Sequence, residues 1–159
     1  MTTITIDTGD GKMNAYVATP KGGSGPALVV IQEIFGVNQV MRDLTDGFAA
    51  QGFVAICPDL FWRIEPGIDI TDKTQAEWAR AFQLFQTFDV DKGLNDIAKT
   101  ITAIRQYPGS TGKVGAVGYC LGVSSLISLR PGPISMPLSA ITASGWMGWS
   151  ARRRRSASR

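Results

Sequence analysis

The 159-residue sequence contains no histidine. No Ser-His-Asp or Cys-His arrangement can therefore be assembled from these residues alone, because the imidazole that moves the proton in such sites is missing. Cysteine is scarce. Cys57 and Cys120 are the two present, too few for a disulfide framework and without the paired spacing of a zinc site. The longest purely aliphatic run, Ala27 to Ile31, falls far short of the ~20 residues that span a bilayer. The first fifteen residues carry neither a basic patch nor an apolar block, so no signal peptide is read and a cytoplasmic location is expected.

Acid is missing from the last part of the sequence. All thirteen Asp and Glu lie between Asp7 and Asp96; residues 1–122 hold ten Lys and Arg, and residues 123–159 hold six Arg and no acid. The net charge of +3 thus belongs to Arg130, the run Arg152-Arg153-Arg154-Arg155, and Arg159. A nucleic-acid-binding domain spreads basic residues over a folded face. Neither a nucleic-acid nor a membrane partner is expected. What is present, 44% hydrophobic and 18% charged, suffices for one domain with a sizeable core and is too apolar to be disordered throughout.

The pattern alternates strands and helices. Thr3-Ile4-Thr5-Ile6 and Met13, Ala15, Val17 alternate on either side of Asp10-Gly11, which predicts two strands joined by a tight turn. Ala27 to Ile31 is apolar without alternation, as in a strand covered on both faces. Asn38 is placed to cap a helix carrying Val40, Met41, Leu44 and Phe48, with Gly52 as its stop. Phe53 to Cys57 and Lys113 to Tyr119 read as further buried strands. Trp78, Ala81, Phe82 and Phe85 mark one helix; Val90, Leu94, Ile97, Ile101 and Ile104 mark another, broken at Pro108-Gly109. The expected class is α/β, a mostly parallel sheet with helices on both faces. Reactive groups gather at the carboxyl ends of such strands, where Glu33, Asp59 and Cys120 fall.

Gly118-Tyr119-Cys120-Leu121-Gly122 has the form G-x-C-x-G after a predicted strand. A sharp strand-to-helix turn lifts its middle residue into the cleft and needs small flanking residues. The same turn aims backbone N–H groups and a helix N-terminus at one spot, lowering a thiol pKa and stabilising an oxyanion. Five residues alone leave two readings open for Cys120, a nucleophile or a buried structural thiol.

Four blocks together carry more. Gln32-Glu33-Ile34-Phe35-Gly36-Val37-Asn38, Cys57-Pro58-Asp59-Leu60, Phe88-Asp89-Val90-Asp91, and the segment from Gly112 to Gly122 resemble, in order and spacing, the dienelactone hydrolase family of α/β-hydrolase-fold enzymes. The resemblance spans residues 1–122. It implies opening of a lactone or ester by a cysteine nucleophile, with a small-molecule substrate, no cofactor and no metal. It makes Cys120 the nucleophile, Glu33 the carboxylate that activates it, and the N–H groups of Ile34 and Leu121 the oxyanion hole. Family members also hold a substrate carboxylate with an arginine in the helical stretch before Phe88, where Arg80 is the nearest. Cys57 and Asp59 read as an apolar filler and a turn residue.

Other signals fail. Gly109-Ser110-Thr111-Gly112-Lys113-Val114 lacks the hydroxyl residue after the lysine and precedes its strand, unlike a phosphate-binding loop. The glycines at 115, 118 and 122 do not have dinucleotide-site spacing. Beyond Gly122 the family pattern stops: Val123 stands where a glycine is usual, and the family's aspartate and histidine do not follow. Residues 1–129 are therefore expected to form a partial hydrolase domain and residues 130–159 an aberrant, disordered basic tail. One account is a shift of reading frame. With permitted codons, PISMPLSAITASGWMG (Pro133 to Gly148) rereads two bases along as DIDAAVGYYGVGLDG, which resembles the family at that point. On this view the elbow strand lies at or near a raw sheet edge, helix faces are left exposed, and the polypeptide turns over slowly. The competing reading is an inactive fragment, or a binding module that uses the basic tail.

Overall fold

The computed structural model describes residues 2–118 and 140–142. Strands β1 (Thr2–Asp7), β2 (Lys12–Ala18), β3 (Gly25–Ile31), β4 (Val54–Pro58), β5 (Ser110–Gly118) and β6 (Ala140–Thr142) form a single sheet in the order β1-β2-β4-β3-β5-β6. The first two strands form an antiparallel hairpin, and β2 also runs antiparallel to β4. From β4 through β3 and β5 to β6 the pairing is parallel. Helices α1 (Gln39–Ala50), α2 (Gln75–Thr87) and α3 (Val90–Arg105) complete the described elements. No helix among the described residues is long and apolar enough to cross a membrane.

The continuous apolar run of β3 is explained by its two covered faces. Ala27, Val29 and Ile31 pack with Ile56 and the α3 residues Ile97, Ile101 and Ile104. Leu28 and Val30 point the other way, toward Met41 of α1 with Ala55, Cys57 and Val117. Side chains alternate across a strand, so both parities must be apolar here. Each buried Ile of α3 contributes roughly 1.5–3 kcal/mol relative to exposure. The helix starts follow the sequence: the Asn38 side chain accepts the Met41 N–H at 3.1 Å, Thr74 accepts that of Glu77, and Asp89 that of Lys92. Gly52, with φ +99°, ends α1 as anticipated.

One difference from the sequence reading concerns the start of β5. The strand begins at Ser110, three residues before the apolar run, because the irregular start of β3 at Gly25 pairs with it there. It lies next to the sheet edge among the described strands, in keeping with a place at or near that edge. Ala116, Val117 and Gly118 pair with Ala140, Ile141 and Thr142, so β6, from within the segment expected to be a tail, takes the edge position. Hydrogen bonding needs only backbone groups, which a segment of unsuitable composition still supplies.

A polar cluster with a buried carboxylate at one end and an exposed one at the other fastens the hairpin to α3. Asp96 is fully buried and accepts from Trp62 Nε1 at 3.0 Å and from the Arg63 guanidinium, which also holds Asp10 at 2.7 Å. The guanidinium lies over the Trp62 ring, 4.3 Å from its centroid.

Candidate active site

Two loops meet beyond the carboxyl ends of β3 and β4. The chain leaves β3 through Gln32, whose buried side chain accepts the Leu60 N–H at 2.9 Å and so fixes the β3 exit against the β4 exit. Glu33 and Gly36 pair across a tight turn, and Gly36 pairs in turn with Asp69. Only glycine fits at 36. Its φ is +81°, and an added Cβ would come within 2.0 Å of the Ile68 carbonyl oxygen. Asn38 Nδ2 donates to the Ile70 carbonyl at 2.9 Å, and Arg42 donates to the Val37 carbonyl while pairing with Asp69 at 2.8 Å. The turn carrying Glu33 and Ile34 is thereby held from both sides.

Glu33 is half-buried, and among the described residues its carboxyl group has no hydrogen-bond partner. Burial pushes its pKa up, and the negative charge of Asp72 adds to the rise. Ile34 is buried against Phe35, Phe61, Ile68, Ala81 and Leu84, and no carbonyl among the described residues accepts its N–H. The turn thus offers a half-buried carboxyl group of raised pKa beside an N–H donor that no carbonyl among the described residues accepts.

The other sequence-derived residues fall differently. Cys120 and Leu121 lie outside the described residues, but β5 is described to Gly118, which is the register partner of Ile31 in the adjacent parallel strand. Arg80 pairs with Glu65 and donates to Gln83 Oε1 at 2.7 Å, so its guanidinium is already engaged. Asp59 is a turn residue: its carboxylate accepts the Phe61 and Gly67 N–H groups, while burial raises its pKa. Cys57 is fully buried, and its thiol pKa is pushed up by that burial. Two clefts flank the loops, one of about 230 Å³ lined by Tyr16, Arg42 and Asp59, another of about 290 Å³ lined by Arg63, Phe88 and Lys92. Glu33, Ile34 and Arg80 line neither.

Sequence reasoning missed the positioning role of Gln32, although a glutamine directly after a fully apolar strand was a signal that its amide needs a buried partner. The helix marked by Trp78, Ala81, Phe82 and Phe85 is present as α2. The buried side chains of that helix are Ala81 and Leu84, while Trp78, Phe82 and Phe85 are exposed. Trp78 instead meets Phe35 edge-on, with ring centroids 5.0 Å apart, and donates its indole N–H to the Asp72 carbonyl.

Known proteins resemble this chain in sequence and in fold. The sequence is 68% identical over 94 residues to a protein named "Putative carboxymethylenebutenolidase" from Azospirillum brasilense, covering 58% of this chain and 41% of that one. It is 38% identical over 120 residues to the carboxymethylenebutenolidase of Pseudomonas sp. (strain P51), covering 75% and 50% of the two chains. The chain spans about half the length, or less, of these curated relatives. Among solved structures, one described as a "Putative Dienelactone Hydrolase" from Klebsiella pneumoniae superposes with a TM-score of 0.64 at 27% identity, covering 76% of this chain and 50% of that one. The fold is that of the α/β hydrolases, in part. Residues 13–132 match the model of the dienelactone hydrolase family, and the chain belongs to that family.

Proposed function

We propose that this chain carries the nucleophile half of a hydrolase that opens carboxylic esters or lactones, with Cys120 as the attacking residue. The observation that supports this most directly is the register of β3 and β5. Ile31 stands opposite Gly118 in parallel strands, Glu33 follows two residues after the first, and Cys120 two residues after the second. Neighbouring strands run about 4.8 Å apart, a spacing that suits contact between residues leaving them at the same level.

In the proposed reaction the Cys120 sulfur forms a bond to the carbonyl carbon, and the bond from that carbon to the alkoxy oxygen breaks. The thiol proton passes to Glu33 and on to the departing alkoxide, leaving as an alcohol. A Glu33 carboxyl with a raised pKa suits that exchange, since its proton affinity lies nearer that of a thiol. The N–H groups of Ile34 and Leu121 hold the developing oxyanion. Water then attacks the thioester, returning the thiol and releasing the acid. The 159 residues contain no histidine to activate that water, so acylation is expected to outrun deacylation. Residues 130–159 are proposed to stand outside the hydrolase unit, apart from the strand at 140–142.

The test compares release of alcohol from a small activated ester by the wild-type chain and by Cys120→Ala, with intact-mass detection of an acyl adduct. An adduct on the wild type alone is expected. Equal release without any adduct would remove Cys120 from the mechanism.

A further inference from the structure

The face of α2 beside the Glu33 turn presents two aromatic rings to solvent, one held in place by its neighbours and the other resting against it. Trp78 is 39% exposed and Phe82 52%. The indole is restrained on three sides: its N–H donates to the Asp72 carbonyl at 2.9 Å, its ring meets Phe35 edge-on, and Phe82 lies 5.7 Å away at a tilt of 32°. Phe35 follows Ile34 directly in the chain, and the charge of Asp72 is felt by Glu33. The pair therefore borders the candidate site and is not a stray surface patch. Exposed aromatic side chains that are already ordered bind flat apolar groups at little entropic cost.

Charge on this helix is arranged otherwise. Arg80 is the sole basic residue of α2. At 100° per residue it stands about 200° around the helix from Trp78, and it is neutralised by Glu65. Nothing basic on α2 is left to meet an anionic substrate group at the aromatic face.

We infer that Trp78 and Phe82 form the wall that receives the non-reacting part of the substrate, selecting esters with an uncharged, flat apolar group over esters bearing a second carboxylate. The inference rests on the ester-hydrolase reading above and adds the substrate class to it.

The test uses two trifluoroethyl esters, the phenylacetate and the hemisuccinate, with acylation of the full chain followed by intact mass against ester concentration. The phenylacetate is expected to half-saturate at a concentration at least tenfold lower. Trp78→Ala should raise that concentration about tenfold, leave the rate at saturation within twofold and leave the hemisuccinate unchanged. Phe82→Ala should act in the same direction. Because both side chains are exposed, circular dichroism should show the variants folded as the wild type. An unchanged preference in Trp78→Ala would overturn the inference, as would loss of hemisuccinate acylation in Arg80→Met. So would a change of oligomeric state in Trp78→Ala, which would make the face a contact between copies.

Failure of the hydrolase reading has a different signature. If neither ester acylates Cys120, binding of phenylacetamide followed by ligand-observed NMR still reads the wall. It should persist in Cys120→Ala and vanish in Trp78→Ala. Binding retained in Trp78→Ala would sink the wall on its own.

Discussion

The side-chain oxygen of Gln32 accepts the backbone N–H of Leu60 across the carboxyl ends of β3 and β4, both groups buried. One hydrogen bond thereby sets the distance between the turn that carries Glu33 and the loop that follows Asp59. Replacing Gln32 by Leu leaves the Leu60 N–H without a partner, at a cost of about 1–3 kcal/mol. Urea unfolding is expected to show that loss as a lower midpoint with an unchanged slope. Gln32→Glu keeps an acceptor but adds a second negative charge beside Glu33, and should raise the pH needed to ionise Glu33 further.

Arg63 joins Asp10 and the fully buried Asp96. Arg63→Met removes the cation and leaves the Asp96 carboxylate with Trp62 alone. Breaking one side of a buried pair is destabilising by about 3–5 kcal/mol, whereas replacing the whole set with apolar groups can be neutral. The single variant is expected to lose most of its stability, and Arg63→Met combined with Asp96→Leu to recover part of it. Thermal unfolding of the two checks this.

Acid should weaken the hairpin anchorage in a defined window. The Asp10 carboxyl is lowered from 3.8 to about 2, first by the hydrogen bond from Arg63 and then by that from Thr8. A lowered native pKa gives stability that is complete above the unfolded value and lost as pH falls toward about 2. Asp10→Asn should therefore flatten the acid limb of the stability profile between those values. Glu33 works the other way. Its raised pKa contributes stability below the ordinary carboxylate range, which is lost as pH rises through the native value. Glu33→Gln is expected to gain stability over wild type at neutral pH, measured by the urea midpoint, while losing acylation of Cys120.

The two cysteines should respond differently to alkylation. Cys57 is inaccessible and its thiol pKa is raised by burial, so iodoacetamide is expected to leave it unmodified in the native chain and to label it on unfolding. Peptide mapping locates the label. Modification of Cys57 at the native rate of Cys120 would contradict its burial in β4 against Met41 of α1.

Codon order supplies a further test. The codons for Ser139 to Ala143, which include the strand at 140–142, read Gly-Tyr-Tyr-Gly in the proposed second frame. Sequencing the coding DNA is expected to reveal a continuing family-like translation there, with an aspartate and a histidine downstream. Their absence from the second frame would end the frame-shift account.

Much of the fold was legible because it depends on short-range rules. The unbroken apolar run from Ala27 to Ile31 demanded cover on both faces, and Asn38 and Gly52 marked the two ends of α1, one by its capping side chain and the other by its backbone freedom. The site was legible only through its motif blocks. Nothing local in the sequence states that Gln32 reaches Leu60, that Arg63 reaches Asp96 or that Trp78 rests on Phe35, since each joins residues at least 28 positions apart. The α2 aromatics marked the helix but not the face it buries. Helical spacing reveals which residues share a face but not whether that face meets the core or solvent.

The Asp10–Arg63–Asp96 clamp also sets an order of events during synthesis. Asp10 leaves the ribosome long before Asp96, the last of the three to be made. Until α3 emerges, the hairpin has at most a solvent-facing tie to Arg63, and its apolar side awaits Ile97, Ile101 and Ile104. A nascent chain paused before that helix would display the underside of its sheet to chaperones, and translation speed across residues 90–105 would decide how long.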